Sequence, residues 1–267
     1  MGGRTADDFS GYTRPLPYYP GPRPVRRGRR IFRRLMFTVV TLFAVVIIAV
    51  GGLLLLTPSA GQATKLAQAE AMAHGIAYPG PQPPANFTRA LVATEDKRFY
   101  SEPGVDPFAV ARFVVSHVTG NTADEGGATL EQQLAKLLYT PGQSGLTPEI
   151  KQIALAFKLN YTYSKAQILR LYAEVAYYGH GYYGLEAASC GYFGHPAAQL
   201  TQVQGAMLAG VVNAPTADDP IDNPASAHAR LAHVIGRMVA VGDITQAEGN
   251  QLLNTPLGIV PRASAGC

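Results

Sequence analysis

An all-α domain behind a single membrane-spanning helix is the fold class that this 267-residue sequence predicts. Three observations carry that expectation. An uncharged apolar run lies near the N-terminus, and beyond it helix-start signals recur with apolar residues at helical spacing. No comparable series of alternating apolar and polar residues marks strands.

The first 35 residues form a basic, proline-rich segment. Pro15, Pro17, Pro20, Pro22 and Pro24 stand among Gly, Tyr and Arg, a composition that buries no core and favours extended backbone. Residues 1–35 are therefore read as a disordered cytoplasmic tail, with a proline-rich docking motif as the alternative. Met36 to Leu56 holds no charged residue. About 21 residues at ~1.5 Å rise give roughly 31 Å, the thickness of a bilayer core. A cleaved signal peptide is the competing reading, because Thr57 to Gly61 is a run of small residues, but the apolar core is long for one and so is the tail before it. Arg23, Arg26, Arg27, Arg29, Arg30, Arg33 and Arg34 precede the span, and the first basic residue after it is Lys65. Positive charge stays inside, so the N-terminus is expected in the cytoplasm and the remainder outside, on a single-pass cell-membrane protein.

The net charge of +4 divides unevenly around the span: residues 1–35 carry +7 and the rest −3. The basic cluster reads as a topology determinant that also attracts anionic lipid, and a nucleic-acid partner is excluded at that location. Only Cys190 and Cys267 are present, which makes no disulfide framework. Cys190 lies in an apolar helical pattern and is read as a small buried residue. The six His show no metal-ligand spacing.

After a linker assigned to residues 57–82, helix signals dominate 83–267. Asp106-Pro107, Thr147-Pro148 and Asn223-Pro224 each place a capping side chain before a proline suited to a first helical turn. Ser164 with Gln167, Thr201 with Gln204 and Thr245 with Glu248 have capping-box spacing. Ile150, Ile153, Ala154 and Phe157 follow helical periodicity, as do Ile168, Leu171, Tyr172 and Val175. Gly126-Gly127 and Gly179-His180-Gly181 are read as loops. Pro107 to Val118, with Phe108, Val110, Ala111, Val114, Val115 and Val118, is expected against the membrane surface, with a buried core helix as the alternative.

Chemistry is suggested where Glu95 and Asp96 end an apolar helical stretch beside Lys97 and Arg98. Alone, such neighbours are usually a solvated helix end. Glu95-Asp96-x-x-Phe99 continues, however, to Gly104-Val105-Asp106-Pro107, then to Gly126-Gly127-Ala128-Thr129-Leu130-Glu131-Gln132-Gln133-Leu134-Ala135-Lys136. Tyr163-Ser164-Lys165 with Ile168-Leu169 follows, then Tyr178-Gly179-x-Gly181-x-Tyr183-Gly184-Leu185-Glu186-Ala187-Ala188, closing on Tyr192-Phe193-Gly194. From about Pro83 to Asn254, in order and spacing, these segments resemble the family 51 glycosyltransferases, the peptidoglycan transglycosylases.

That resemblance implies a lysozyme-like, all-α glycosyltransferase domain that polymerises a lipid-linked disaccharide precursor into glycan strands for the bacterial cell wall. The partners implied are that precursor, the growing glycan chain and the membrane, with other cell-wall synthesis proteins in reach. It assigns the general base to Glu95, which would take the proton from the acceptor 4-hydroxyl, a contribution of roughly 10² to 10⁴ in rate. Asp96 would support it. Arg98, Phe99, Thr129, Gln132 and Gln133 would be substrate contacts in the cleft, with Lys136 and Lys151 balancing charge on the leaving pyrophosphate. Asp106 also reads as a helix cap, Glu186 as a partner inside the packing, and Tyr177, Tyr178, Tyr182 and Tyr183 as either sugar platforms or core edge.

The departures matter as much. The family's Arg-Lys-x-x-Glu motif falls on Pro148-Glu149-Ile150-Lys151-Gln152, so its second catalytic carboxylate is Gln152 here. The first motif's His is Glu102, the second motif's final Thr is Glu131, and an Asn is Glu174. With those charges lost, a divalent cation is expected to assist the pyrophosphate. Its ligands are unassigned, and no other cofactor is expected. No Ser-x-x-Lys or Lys-Thr-Gly motif suggests a transpeptidase domain, hence a monofunctional enzyme. Three readings follow: an active transglycosylase, a degenerate member that binds precursor or wall-synthesis proteins without turnover, and a lytic hydrolase. The last needs a protonated Glu95, which Lys97 and Arg98 disfavour.

Overall fold

A computed structural model describes residues 21, 27–106, 119 and 127–260. The chain divides into two compact units, Met1–Val50 and Gly51–Cys267. Helix α1, Arg27–Leu56, is the one described element long and apolar enough to cross a membrane, and the side chains of residues 31–50 are all exposed. An outward-facing apolar surface on every side of a helix is what lipid contact requires.

The described part of the second unit is helical: α2 (Ala63–Ala73), α3 (Ala85–Glu95), α4 (Leu130–Tyr139), α5 (Leu146–Thr162), α6 (Lys165–Val175), α7 (Leu185–Phe193), α8 (Gln202–Val211), α9 (Pro224–Ala240) and α10 (Gln246–Leu253), with 3₁₀ turns at Ala60–Gln62 and Ala197–Gln199. A lone antiparallel bridge, Tyr177 to Tyr183, is the only β pairing among the described residues. The segment Pro107 to Val118, read as a membrane-surface helix, lies outside them.

The helices start where local chemistry places them. Ser164, Thr201 and Thr245 form the expected capping boxes, and Thr129 with Gln132 forms a fourth. Thr147 does not cap: α5 begins one residue earlier behind Gly145, and Pro148 is tolerated because no first-turn N–H is needed there. Asn223 precedes α9, but its side-chain amide donates to the Thr216 carbonyl instead of accepting from the helix.

Residues 57–82, read as a linker, are part of the fold. Ala60, Ala63, Ala67 and Ala71 are buried, the first three within the hydrophobic core, and Lys158 Nζ donates to the Thr57 and Pro58 carbonyls at 2.8 and 3.0 Å. Alanines three and four apart present a flat helix face that packs closely on α6 and α4.

Helix α3 is held by α8 and α9. Its approach to α8 is backbone on backbone, because a Cβ on Gly205 would meet the Phe87 N at 2.9 Å and the Asn86 C at 3.0 Å. Gly205→Ala therefore overrides its own helix-propensity gain of about 1 kcal/mol. Overpacking costs about 1–3 kcal/mol, and thermal unfolding should register a net loss; equal or higher stability would mean that α3 and α8 are not in contact.

The tyrosines beside the glycine-rich turn are core edge. Tyr178 is fully buried, Tyr182 packs edge-on against Tyr192, and Tyr183 stacks on His74 at 3.4 Å. Cys190 is only half-buried, and no described cysteine is a free thiol.

Candidate active site

Glu95 is the last residue of α3, and three other elements converge on its carboxylate. Arg230, from α9, places Nη2 2.7 Å from Oε1. Gln133, one turn into α4, donates from Nε2 to Oε2 at 3.1 Å and to the Ala128 carbonyl at 3.3 Å. Tyr172, on α6, donates its hydroxyl proton to Gln133 Oε1 at 2.8 Å, which fixes the amide so that its NH₂ faces Glu95. Burial and the nearby Glu95 charge push the Tyr172 phenol well above its ordinary range, so it remains a donor. Arg230 is in turn oriented by the Gly210 carbonyl, which accepts from Nε at 3.1 Å.

The pair is nearly dry, with side-chain exposures of 9% for Glu95 and 17% for Arg230. Each carboxylate oxygen takes one donor and keeps acceptor capacity for a substrate hydroxyl. Thr94, Glu95, Asp96, Arg98, Gly127, Thr129 and Arg237 are among the residues lining an adjoining cavity of about 240 Å³.

Asp96 is turned away from that carboxylate. It is buried, and Oδ2 accepts the Leu130 N–H at 3.1 Å, at the N-terminus of α4. A carboxylate there is favoured by the helix dipole. Asp96 thus anchors the start of the helix that carries Gln133. Burial raises its carboxyl above the usual range, opposed by the Leu130 hydrogen bond.

Several expected cleft contacts hold structure instead. Phe99 is fully buried in the core, with Lys165 Nζ 4.5 Å above its ring. Thr129 is buried; its hydroxyl donates to the Gly104 carbonyl at 2.9 Å and accepts from the Gln132 N–H at 3.2 Å. Gln132 returns the bond, accepting from the Thr129 N–H at 2.9 Å. Both are spent on capping because they sit where α4 begins. Arg98 pairs with Glu102 and Asp106. Lys136 and Lys151 are exposed, one on α4 beyond Gln133 and one on α5.

Gln152 is buried on α5, and its amide donates to Thr140 Oγ1 at 2.8 Å. Glu186 accepts the Ala197 N–H at 3.1 Å, a partner inside the packing. Glu174 accepts from the Gly80 N–H at 2.6 Å and Arg170 Nε at 3.2 Å, tying residue 80 to α6.

The other two departures meet. Glu102, Glu131 and Asp96 are all buried, and a carboxylate oxygen of each lies within 4.8 Å of the others. Lys165 Nζ contacts Glu131 Oε1 at 2.6 Å and the Glu102 carbonyl at 3.0 Å. Burial, then the charge of Asp96, pushes the Glu102 carboxyl up to about 7. Burial also raises Glu131, opposed by Lys165.

Residues 64–239 match the protein family described as Transglycosylase. Penicillin-binding protein 1A of Neisseria flavescens is 38% identical over 168 residues, covering 63% of this chain and 21% of that protein. The protein of the same name from Neisseria gonorrhoeae is 37% identical over 174 residues, covering 65% of this chain and 22% of that one. For Aquifex aeolicus the identity is 36% over 176 residues, with 66% of this chain and 24% of the relative covered. The chain thus spans under a quarter of the length of these relatives. Glu95, Gln133, Gln152, Tyr172 and Arg230 all fall inside the matched range.

Proposed function

The chain belongs to the transglycosylase family, matched over residues 64–239, and from that membership we propose that it polymerises a lipid-linked disaccharide into glycan strands on the outer face of a bacterial membrane. The observation that carries this reading is Glu95, held between Arg230 at 2.7 Å and Gln133 at 3.1 Å in a nearly dry setting beside a cavity. A base so fixed needs little reorganisation when an acceptor hydroxyl is placed within hydrogen-bond reach, and its proton passes to the carboxylate as the hydroxyl oxygen attacks the anomeric carbon. The pyrophosphate leaves with the bond electrons, and Lys136 and Lys151 would meet its charge, which a divalent cation, if bound there, would further neutralise. Polymer formed from labelled precursor by the full-length protein in detergent tests the reading.

A second reading is favoured by Gln152. An amide that is buried and bound to Thr140 neither transfers a proton nor holds a metal ion as a carboxylate does. Precursor binding without polymer under any condition would select a binding protein, and partners among wall-synthesis proteins would then carry its role.

The orientation rests on the seven arginines before the uncharged run that starts at Met36. A reporter fused after Cys267 should be active only outside the cytoplasm; activity inside would overturn the topology and the wall function together.

A further inference from the structure

The buried carboxylates behind Asp96 bear no part in the proposed proton transfer, and the ion pairs among the described residues offset only part of their charge. Asp96, Glu102 and Glu131 offer three carboxylates against the single ammonium of Lys165, while Arg98 and Asp106 offset one another. Fully ionised, the group carries an excess of two negative charges. Among the described residues, both Glu102 oxygens and Glu131 Oε2 are buried without a hydrogen-bond donor, on side chains 5% and 0% exposed. Arg98 Nε stands 3.7 Å from Glu102 Oε2, beyond hydrogen-bond distance. Buried carboxylate oxygens without donors are costly and uncommon, and those that persist call for an ion, a water or a proton.

We propose that Asp96, Glu102 and Glu131 form a binding site for one calcium-sized divalent cation. The charge of such an ion equals the excess, and an all-oxygen, carboxylate set suits a hard cation and not zinc. The three oxygens lie within 4.8 Å of one another, close enough to share one Ca²⁺, whose ligand oxygens are at most about 4.6–5.2 Å apart. Asp96 and Glu102 line the cavity beside Glu95, which gives the ion a way in and room for water ligands. Bound there, it joins the residue after Glu95, the loop at Glu102 and the first turn of α4, and so steadies Gln133 from behind. It is a positioning site, separate from any cation on the pyrophosphate, and independent of whether the chain turns over precursor.

Calcium binding and thermal unfolding of the full chain in detergent, stripped with EDTA and free of lipid substrate, test this at neutral pH. One Ca²⁺ should bind per chain and raise the unfolding temperature by several degrees. Glu102→Gln with Glu131→Gln should weaken binding by at least about tenfold and, in EDTA, unfold at a higher temperature than the parent because the uncompensated charge is gone. Should the double variant not fold, Glu102→Gln alone gives the same comparison. Glu95→Gln should bind Ca²⁺ as the parent does. A parent that binds no stoichiometric Ca²⁺, or is not stabilised by it, overturns the site in favour of a proton shared between Asp96 and Glu102. Equal binding by the Glu102 variant, or loss in Glu95→Gln, overturns the ligand assignment.

Discussion

Glu95→Gln should lower polymerisation by a factor of about 10² to 10⁴ while leaving precursor affinity nearly unchanged, because the substitution removes the proton acceptor without changing the shape of the cleft. The amide keeps the length of the side chain, so the cleft is not reshaped. What it does remove is the counter-charge of Arg230, whose side chain is 17% exposed and whose Nη2 sits 2.7 Å from Oε1. Breaking one side of a buried pair costs about 3–5 kcal/mol in the strongest cases, and a neutral amide that still accepts a hydrogen bond should lose less. Pairing Glu95→Gln with Arg230→Met should return stability without returning turnover. That separation of unfolding temperature from rate tells a lost base from a damaged fold. Turnover that survives Glu95→Gln would place the base on another residue.

Local chemistry made much of the fold legible. Each capping box is settled within four residues, so Ser164, Thr201 and Thr245 could be read without knowing what they pack against. Motif membership was less informative about role, since a residue kept to start a helix looks the same in sequence as one kept to touch a sugar. Thr129 and Gln132 start α4, and Phe99 packs in the core. Arg230 stands 135 residues from its partner, and no motif joins the two. One signal was present: Arg230 lies three residues from Ala227 and four from Val234, both buried, and an arginine set in the apolar stripe of a helix calls for a buried anion. Glu102 and Glu131 were legible singly as departures from the family pattern, but only the tertiary fold brings them together. The alanines of residues 57–82 were passed over because small side chains lower apparent hydrophobicity, although their spacing is that of a closely packed helix face.

Restoring the missing motif should have the opposite effect on rate. Gln152→Glu combined with Pro148→Arg and Glu149→Lys replaces an amide by a carboxylate and shifts local charge by two cations and one lost anion at the start of α5. Groups that meet charge on a leaving group are worth about 10² or more in rate when removed singly, so the triple variant should polymerise about 10²-fold faster if the cleft still binds precursor productively. Stability should move the other way. Two cations in the first helical turn oppose the dipole at about 0.3–1 kcal/mol each, and the fixed backbone of Pro148 is lost. At position 152 a carboxylate donates no bond and must instead accept one from Thr140, whose hydroxyl can rotate to give it. Gln152→Glu alone should therefore fold, with a smaller gain. A faster but less stable triple variant would identify the wild-type chain as a slow enzyme limited at its leaving group. A folded triple variant that binds precursor and forms no polymer would instead mean that the cleft has become a binding site.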